Sequence, residues 1–244
     1  YRLSGSFRKP PASVSVTSNI LLKIGRNGLT AHGGFGILAE QEALFSIDFT
    51  TPPDWNVQSV TTEQNEELLF ERYPAADGGN RIHVRLPKGI EAGGEQSILF
   101  KAAHVPEGWL DDWQVRDLLF PVFAIRDATR DIGAVAVTAE DDLHVRPTSL
   151  DGLTPLNENE KSEYGLAGVP TQLAYRYERP PYSAKLAVES VEPRLTMHSY
   201  SFYRIGRNVT NCHLELVYTI GQARTQDLKF TLPAETPVAL SILG

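Results

Sequence analysis

Apolar and polar residues alternate with period two along most of the chain. In Arg81-Ile-His-Val-Arg-Leu, residues Ile82, Val84 and Leu86 face one way, and Arg81, His83 and Arg85 face the other. Successive side chains of a strand point to opposite sides of the sheet, so this pattern predicts a strand with one face on a core. The same alternation marks 13–17, 43–50, 97–102, 134–138, 143–146, 172–177, 185–189, 213–218 and 227–232. Turn-forming words separate these runs: Arg26-Asn-Gly, Asp77-Gly-Gly-Asn, Ala92-Gly-Gly and Asp151-Gly. Many short strands and many turns predict antiparallel β-sandwiches. The expected core positions are Ile47, Phe49, Ile82, Val84, Leu86, Ile98, Phe100, Val135, Val137, Leu214, Leu216 and Phe230.

Helical spacing is scarce. Residues 106–120 place Leu110 and Trp113 at near-helical intervals, with acids early and Pro121 as a stop, which predicts one short helix near 109–118. Residues 61–68 read as a polar loop or a single turn.

Two stretches repeat in order. Leu3 to Ser13 (LSGSFRKPPAS) resembles Leu173 to Ser183 (LAYRYERPPYS), and Ile24-Gly-Arg-Asn recurs as Ile205-Gly-Arg-Asn, 181 positions later. At that spacing His32 falls on His213, Gln41 on Gln222, Phe49-Thr50 on Phe230-Thr231, Pro52 on Pro233 and Val57 on Val238. With the four motif residues this makes ten ungapped identities, which reads as a partial internal duplication. The expectation is an all-β chain of tandem antiparallel β-sandwich domains with one short helix. Residues 1–64 form copy one, 65–150 a second sandwich segment carrying the helix, 151–170 a linker, and 171–244 a truncated copy two. Pro-Pro after Arg8-Lys9 and after Glu178-Arg179 would end strand pairing and set an extended exit between units.

The run Phe120-Pro-Val-Phe-Ala-Ile-Arg-Asp-Ala-Thr-Arg-Asp-Ile-Gly-Ala-Val-Ala-Val, then Leu143-His-Val-Arg-Pro, Gly152-Leu and Leu173-Ala-Tyr-Arg-Tyr, resembles repeated units of large bacterial envelope proteins. The resemblance covers about residues 120 to 244 and lends no catalytic residues. It implies an extracytoplasmic array of β-domains, in the periplasm or at the cell surface. The expected partners are neighbouring domains of a longer parent chain, with a glycan or a surface protein as the further candidate.

Composition narrows the function classes. The chain has 244 residues, a net charge of -7, 41% hydrophobic and 22% charged residues, as in an ordinary folded protein. The acidic balance argues against nucleic acid as a partner. No apolar run reaches the roughly 18 residues of a membrane span. The start, Tyr1-Arg-Leu-Ser-Gly, lacks the basic and apolar regions of a signal peptide and reads as a processed or excised piece. A single cysteine, Cys212, excludes an intrachain disulfide and a Cys-based zinc site; it reads as a buried, inert thiol.

The candidate ligand patch is Trp109, Asp111, Asp112 and Trp113, because saccharide chemistry uses carboxylates beside aromatic platforms. Adjacent acids on a short helix diverge, however, and nothing places a second carboxylate opposite them, so a capped helix with docked tryptophans is the simpler expectation. Calcium is the candidate ion for Asp127-Ala-Thr-Arg-Asp131 and Glu140-Asp-Asp142, although neither has the alternating acidic loop of a calcium site. No other cofactor is expected. The histidines, His32, His83, His104, His144, His198 and His213, have no metal-site spacing. No Gly-x-Ser-x-Gly elbow occurs. Gly33-Gly-Phe-Gly reads as a bulge or twisted edge, not a phosphate cradle. Asn208-Val-Thr has the form of a glycosylation acceptor. The first reading is therefore a non-catalytic structural or adhesive segment. The alternatives are a carbohydrate-binding module, a carboxylate-dependent hydrolase and the accessory β-domain of a peptidase.

Overall fold

The computed structural model describes residues 13–75, 78–111, 113–191, 194–208, 210–221, 228–232, 234, 236 and 241. Among the described residues the fold is all-β with one short α-helix, and the chain divides into two units, 1–190 and 191–244. Unit 1 contains β1 (Val14–Gly25), β2 (Gly28–Ala39), β3 (Leu44–Thr51), β4 (Asn56–Thr62), β5 (Phe70–Pro74), β6 (Asn80–Ile90) and β7 (Glu95–His104). It continues with β8 (Val115–Leu119), β9 (Ala124–Ile125), β10 (Arg130–Ala139), β11 (Leu143–Asp151), β12 (Thr154–Pro155), α1 (Glu158–Lys161), β13 (Leu173–Tyr177) and β14 (Ser183–Ser190).

The strands form three sheets, in the orders β12-β13-β10-β1-β2-β7-β4, β5-β6-β3-β9 and β11-β14-β8. All pairs are antiparallel except β1 with β10, which run parallel from Ser15↔Arg130 to Ile24↔Ala139. Period-two burial follows the sequence pattern. Val14, Val16, Ile20, Leu22 and Ile24 of β1 are buried, as are Ile82, Val84 and Leu86 of β6. The seven- and four-stranded sheets meet through an aromatic cluster. Phe35 of β2 lies 5.4 Å from Phe49 of β3, and Phe100 of β7 lies 5.2 Å from Phe35, 5.3 Å from Phe49 and 4.8 Å from Phe123. The three-stranded sheet joins the same core through Leu143, Val145, Ala184, Leu186 and Val188. Burying each of the valine, leucine, isoleucine and phenylalanine side chains contributes roughly 1.5–3 kcal/mol.

Gly33 explains how the ring of Phe100 fits. Far from marking a bulge or an edge, it sits inside a continuous ladder, paired with Ile20 on one side and Phe100 on the other. A Cβ there would collide with the Phe100 ring, so the ring occupies the space that glycine leaves.

The helix expected near 109–118 is a turn followed by a strand. Gly108 adopts φ 66, the Trp109 amide donates to the Pro106 carbonyl at 3.0 Å, and β8 then pairs antiparallel with β14. The cross-strand pairing of Val115–Leu119 with β14 outweighs the local helical spacing before it. The actual helix, α1, lies in the stretch expected to be a linker. It is closed by a capping box in which the Asn157 side chain accepts from the Asn159 and Glu160 amides and Glu160 accepts from the Asn157 amide. The segment after α1 covers the outer face of β10, where Ala134 and Ala136 pack with Leu166.

The expected boundaries at 64/65 and 170/171 do not separate compact units. β7 lies between β2 and β4, β10 lies beside β1, and β13 and β14 belong to the sheets of unit 1. Unit 2 contains β15 (Arg194–Ile205) and β16 (Thr210–Gly221), a two-stranded antiparallel hairpin. Of the expected core, the nine positions from Ile47 to Val137 are buried. In unit 2, Leu214 is exposed and Leu216 half-buried, because no third strand covers the hairpin among the described residues; Phe230, outside the hairpin, is also exposed. Residues 3–12, nearly all of the first copy of the Pro-Pro repeat, lie outside the described residues.

Val84 is wholly buried between Ile47 and Phe70 on the neighbouring strands. Val84→Asp places an unpaired charge there and should remove about 4 kcal/mol or more of stability. Circular dichroism is expected to show unit 1 unfolded; a cooperative melt at the wild-type temperature would refute the register.

Candidate functional site

The residues nominated for saccharide chemistry form a structural corner. Trp109 is only 2% exposed, and its indole N–H donates to the Gly25 carbonyl at 2.9 Å, at the end of β1. Trp113 is half-buried, and its indole N–H donates to the Trp109 carbonyl at 2.8 Å. The two rings are 4.9 Å apart and tilted by 50°, so they pack on each other and do not form a flat platform. Trp55, also buried, meets Phe123 edge-on at 5.5 Å. Asp111 is exposed on the turn, and Asp112 lies outside the described residues.

Arg26 completes the corner from the β1–β2 turn. Its guanidinium lies over the Trp113 ring at 5.8 Å, donates to Asp142 at 2.7 Å and donates to the Ser190 hydroxyl at 2.6 Å. Arg116 donates to the Gly108 carbonyl at 2.7 Å. These contacts tie the first Ile-Gly-Arg-Asn turn to the β10–β11 turn, the end of β14 and the 106–113 loop.

The acids considered for calcium point to different places. Asp127 is exposed on a turn at φ 59. Asp131 is buried between β1 and β13, where its Oδ1 accepts from the Tyr177 hydroxyl at 3.0 Å and from Ser18 at 3.2 Å. Its Oδ2 and the Tyr182 hydroxyl are buried without a partner in the structure. Burial pushes the Asp131 carboxyl above its ordinary value, outweighing those two hydrogen bonds. Burial likewise pushes up the hydroxyls of Tyr177 and Tyr182, which stack 4.5 Å apart, and the nearby Asp131 adds to both shifts. Asp142 is held by Arg26, and Glu140 accepts from the Arg26 amide at 3.3 Å. Among the described residues, no group of three or more His, Cys, Asp or Glu side chains could hold a metal ion.

The histidines are similarly dispersed. His83 and Asp48 are bonded at 2.9 Å on the outer face of the four-stranded sheet, and the Arg81 Nε lies 3.8 Å from the same carboxylate. The His104 Nδ1 is 3.2 Å from the Asp54 carbonyl. His32 lies on the outer face of β2, and partial burial together with Lys23 and Lys101 holds its pKa down. His144 lies on β11, His198 on β15 and His213 on β16. Cys212 is exposed, contrary to the buried thiol expected.

One feature has no local sequence signal. A groove of about 670 Å³ runs beside the β1–β2 turn, with Leu21, Val105 and Val169 on its walls and Lys23, His104 and Glu140 as polar groups. Its walls come from four distant stretches, which only the sheet order brings together.

The sequence matches no protein-family model and no curated protein. Among solved structures, it is similar to an M1 zinc metallopeptidase from Deinococcus radiodurans, with 14% identity, a TM-score of 0.42, 92% of this chain covered and 51% of that chain. It is also similar to native yeast LTA4 hydrolase, with 11% identity and a TM-score of 0.42, over 82% of this chain and 31% of that one. The chain thus spans about half the length of the peptidase it aligns with. No helix among the described residues is long and apolar enough to cross a membrane.

Trp109→Phe removes the donor to the Gly25 carbonyl. It should cost about 1–3 kcal/mol, lowering the melting temperature by roughly 2–4 °C for each kcal/mol in a unit of this size. The Asp131 carboxyl gives a pH signature of definite sign. Its folded pKa is raised, so between the ordinary 3.8 and that raised value the native state binds more protons than the unfolded state. Stability from this group therefore falls as pH rises through that window. Melting curves across acidic pH should show Asp131→Asn gaining on the wild type as pH rises above 3.8. A constant difference would refute the assignment.

Proposed function

We propose that the chain is a non-catalytic β-sandwich module of a longer protein, serving to space and join its neighbours. The observation that carries this reading is the use made of the candidate residues. Both indole N–H groups of Trp109 and Trp113 bond backbone carbonyls, and Arg26 cross-links two turns and a strand end through Asp142, Ser190 and the Trp113 face. Side chains that sequence alone marks for recognition work here as joints between strand ends, which suits a spacer more than a lectin. The likeness to repeated envelope-protein units is the support for an extracytoplasmic setting in a chain of such modules.

The carbohydrate-binding alternative is tested directly. Applied to a glycan array, the purified chain is expected to give no specific signal. Saccharide binding lost in a folded Trp113→Ala or Asp111→Ala variant would overturn the proposal and restore the lectin reading.

A further inference from the structure

We infer that β15–β16 is the opening hairpin of a second sandwich of the unit 1 kind, and that its apolar face is the docking surface for that sandwich's complementing strands. The inference deepens the module reading and rests on it only in taking the neighbour to be another β-domain.

The pairing registers coincide. β1–β2 runs from Val14↔Ala39 to Gly25↔Gly28, and β15–β16 runs from Arg194↔Gly221 to Ile205↔Thr210. Leu21 faces His32 in the first hairpin, and Phe202 faces His213 in the second, each displaced by the 181 positions that separate the Ile-Gly-Arg-Asn motifs. All four strands have twelve residues, and both motifs form the turn. Ten sequence identities could accumulate in unlike folds, but an unbroken match of cross-strand partners at the same displacement requires the same hairpin.

The matched register also equates the faces. The buried Val14, Val16, Ile24, Phe35 and Ile37 of unit 1 correspond to Leu195, Met197, Ile205, Leu216 and Tyr218. In unit 2, Leu195 is 46% exposed, Met197 50% and Ile205 81%. In unit 1 that face is covered by the sheet containing β3 and β6, and the outer edges of β1 and β2 are paired by β10 and β7. Both outer edges of β15–β16 are unpaired among the described residues. The occupant is therefore a sheet with the alternating apolar face of β3 and β6, together with edge strands like β7 and β10. Covalent continuity with β16 is indicated by the sequence, which after β16 resumes the series that follows β2: Gln222, Phe230-Thr231, Pro233 and Val238 fall on Gln41, Phe49-Thr50, Pro52 and Val57.

One position specifies the occupant further. Gly33 leaves room for Phe100, but its counterpart is Leu214. The second sandwich must then carry a small side chain where unit 1 has Phe100, a large-for-small exchange that conserves volume across the pair.

The test appends residues 41–190 after Gly221, continuing the same register and leaving unit 1 intact. The appended copy carries Phe100→Ala, and a second version keeps Phe100 and carries Leu214→Gly. Cys212, the chain's single cysteine and the counterpart of the buried Ala31, is the reporter. At least one extended chain is expected to be monomeric and to react with a thiol reagent at least about tenfold more slowly than the 244-residue chain. With the reporter moved to the outer face by Cys212→Ala and His213→Cys, reactivity should be unchanged by the extension. Equal Cys212 reactivity in both extended chains, or protection of both faces alike, would overturn the inference. Neither result would alter the glycan-binding outcome, so the two proposals fail separately.

Discussion

The register of the β1–β2 hairpin governs the rest of unit 1. These two strands sit in the middle of the seven-stranded sheet, so β10, β13 and β12 are added on one side and β7 and β4 on the other. A slip of one residue would turn Ile20, Leu22 and Phe35 away from the core and Thr17, Leu21 and His32 into it. The two-residue link Arg26-Asn27 between Gly25 and Gly28 defines the pairing at its source, because short hairpin loops admit few geometries. Trp109 then holds the Gly25 carbonyl, and Arg26 reaches Asp142 and Ser190, so the turn is fastened to three other segments. The hairpin is positioned by its turn and its core face together.

The strands were legible because burial and alternation express the same geometry. Ile82, Val84 and Leu86 are apolar because they face the core, and their spacing is that of the pleat. Sheet order was not legible. Nothing local in Glu95–His104 announces that it inserts between β2 and β4, and the parallel pairing of β1 with β10 joins segments more than 100 residues apart. A division at 64/65 fails for this reason: it follows the chain, whereas the core is assembled across it. Leu110 and Trp113 mimic helical spacing, which misplaces the helix. The signal that locates α1, Asn157 followed three residues later by Glu160, lies in a stretch whose polar composition reads as a linker.

The candidate chemistry was legible in kind but not in use. Tryptophans near acids suit a sugar-binding surface and equally suit a corner where polar backbone must be satisfied beneath bulky side chains. What separates the two is the direction of each indole N–H, and that is fixed by the Gly25 and Trp109 carbonyls, not by neighbours in sequence. Asp131 behaves in the same way: an acid read as a surface ligand lies inside, beside Ser18 and Tyr177, because alternation along β10 turns it toward the core.

The exposed hairpin poses the constraint of register again, without a covering sheet among the described residues. A two-stranded ribbon is at best marginally stable in water, since it buries little apolar surface for the backbone it orders. Long edge strands are usually blunted by lysine, proline or a bulge. The 194–221 stretch has neither lysine nor proline, and its ladder runs without a register shift. It instead carries Leu195, Met197, Leu214, Leu216 and Ile220 on one face, at the spacing that unit 1 buries. A hairpin with large apolar side chains on this face and neither outer edge paired among the described residues is suited to being covered. In unit 1 a hairpin of the same register and turn motif has the corresponding face covered by a sheet.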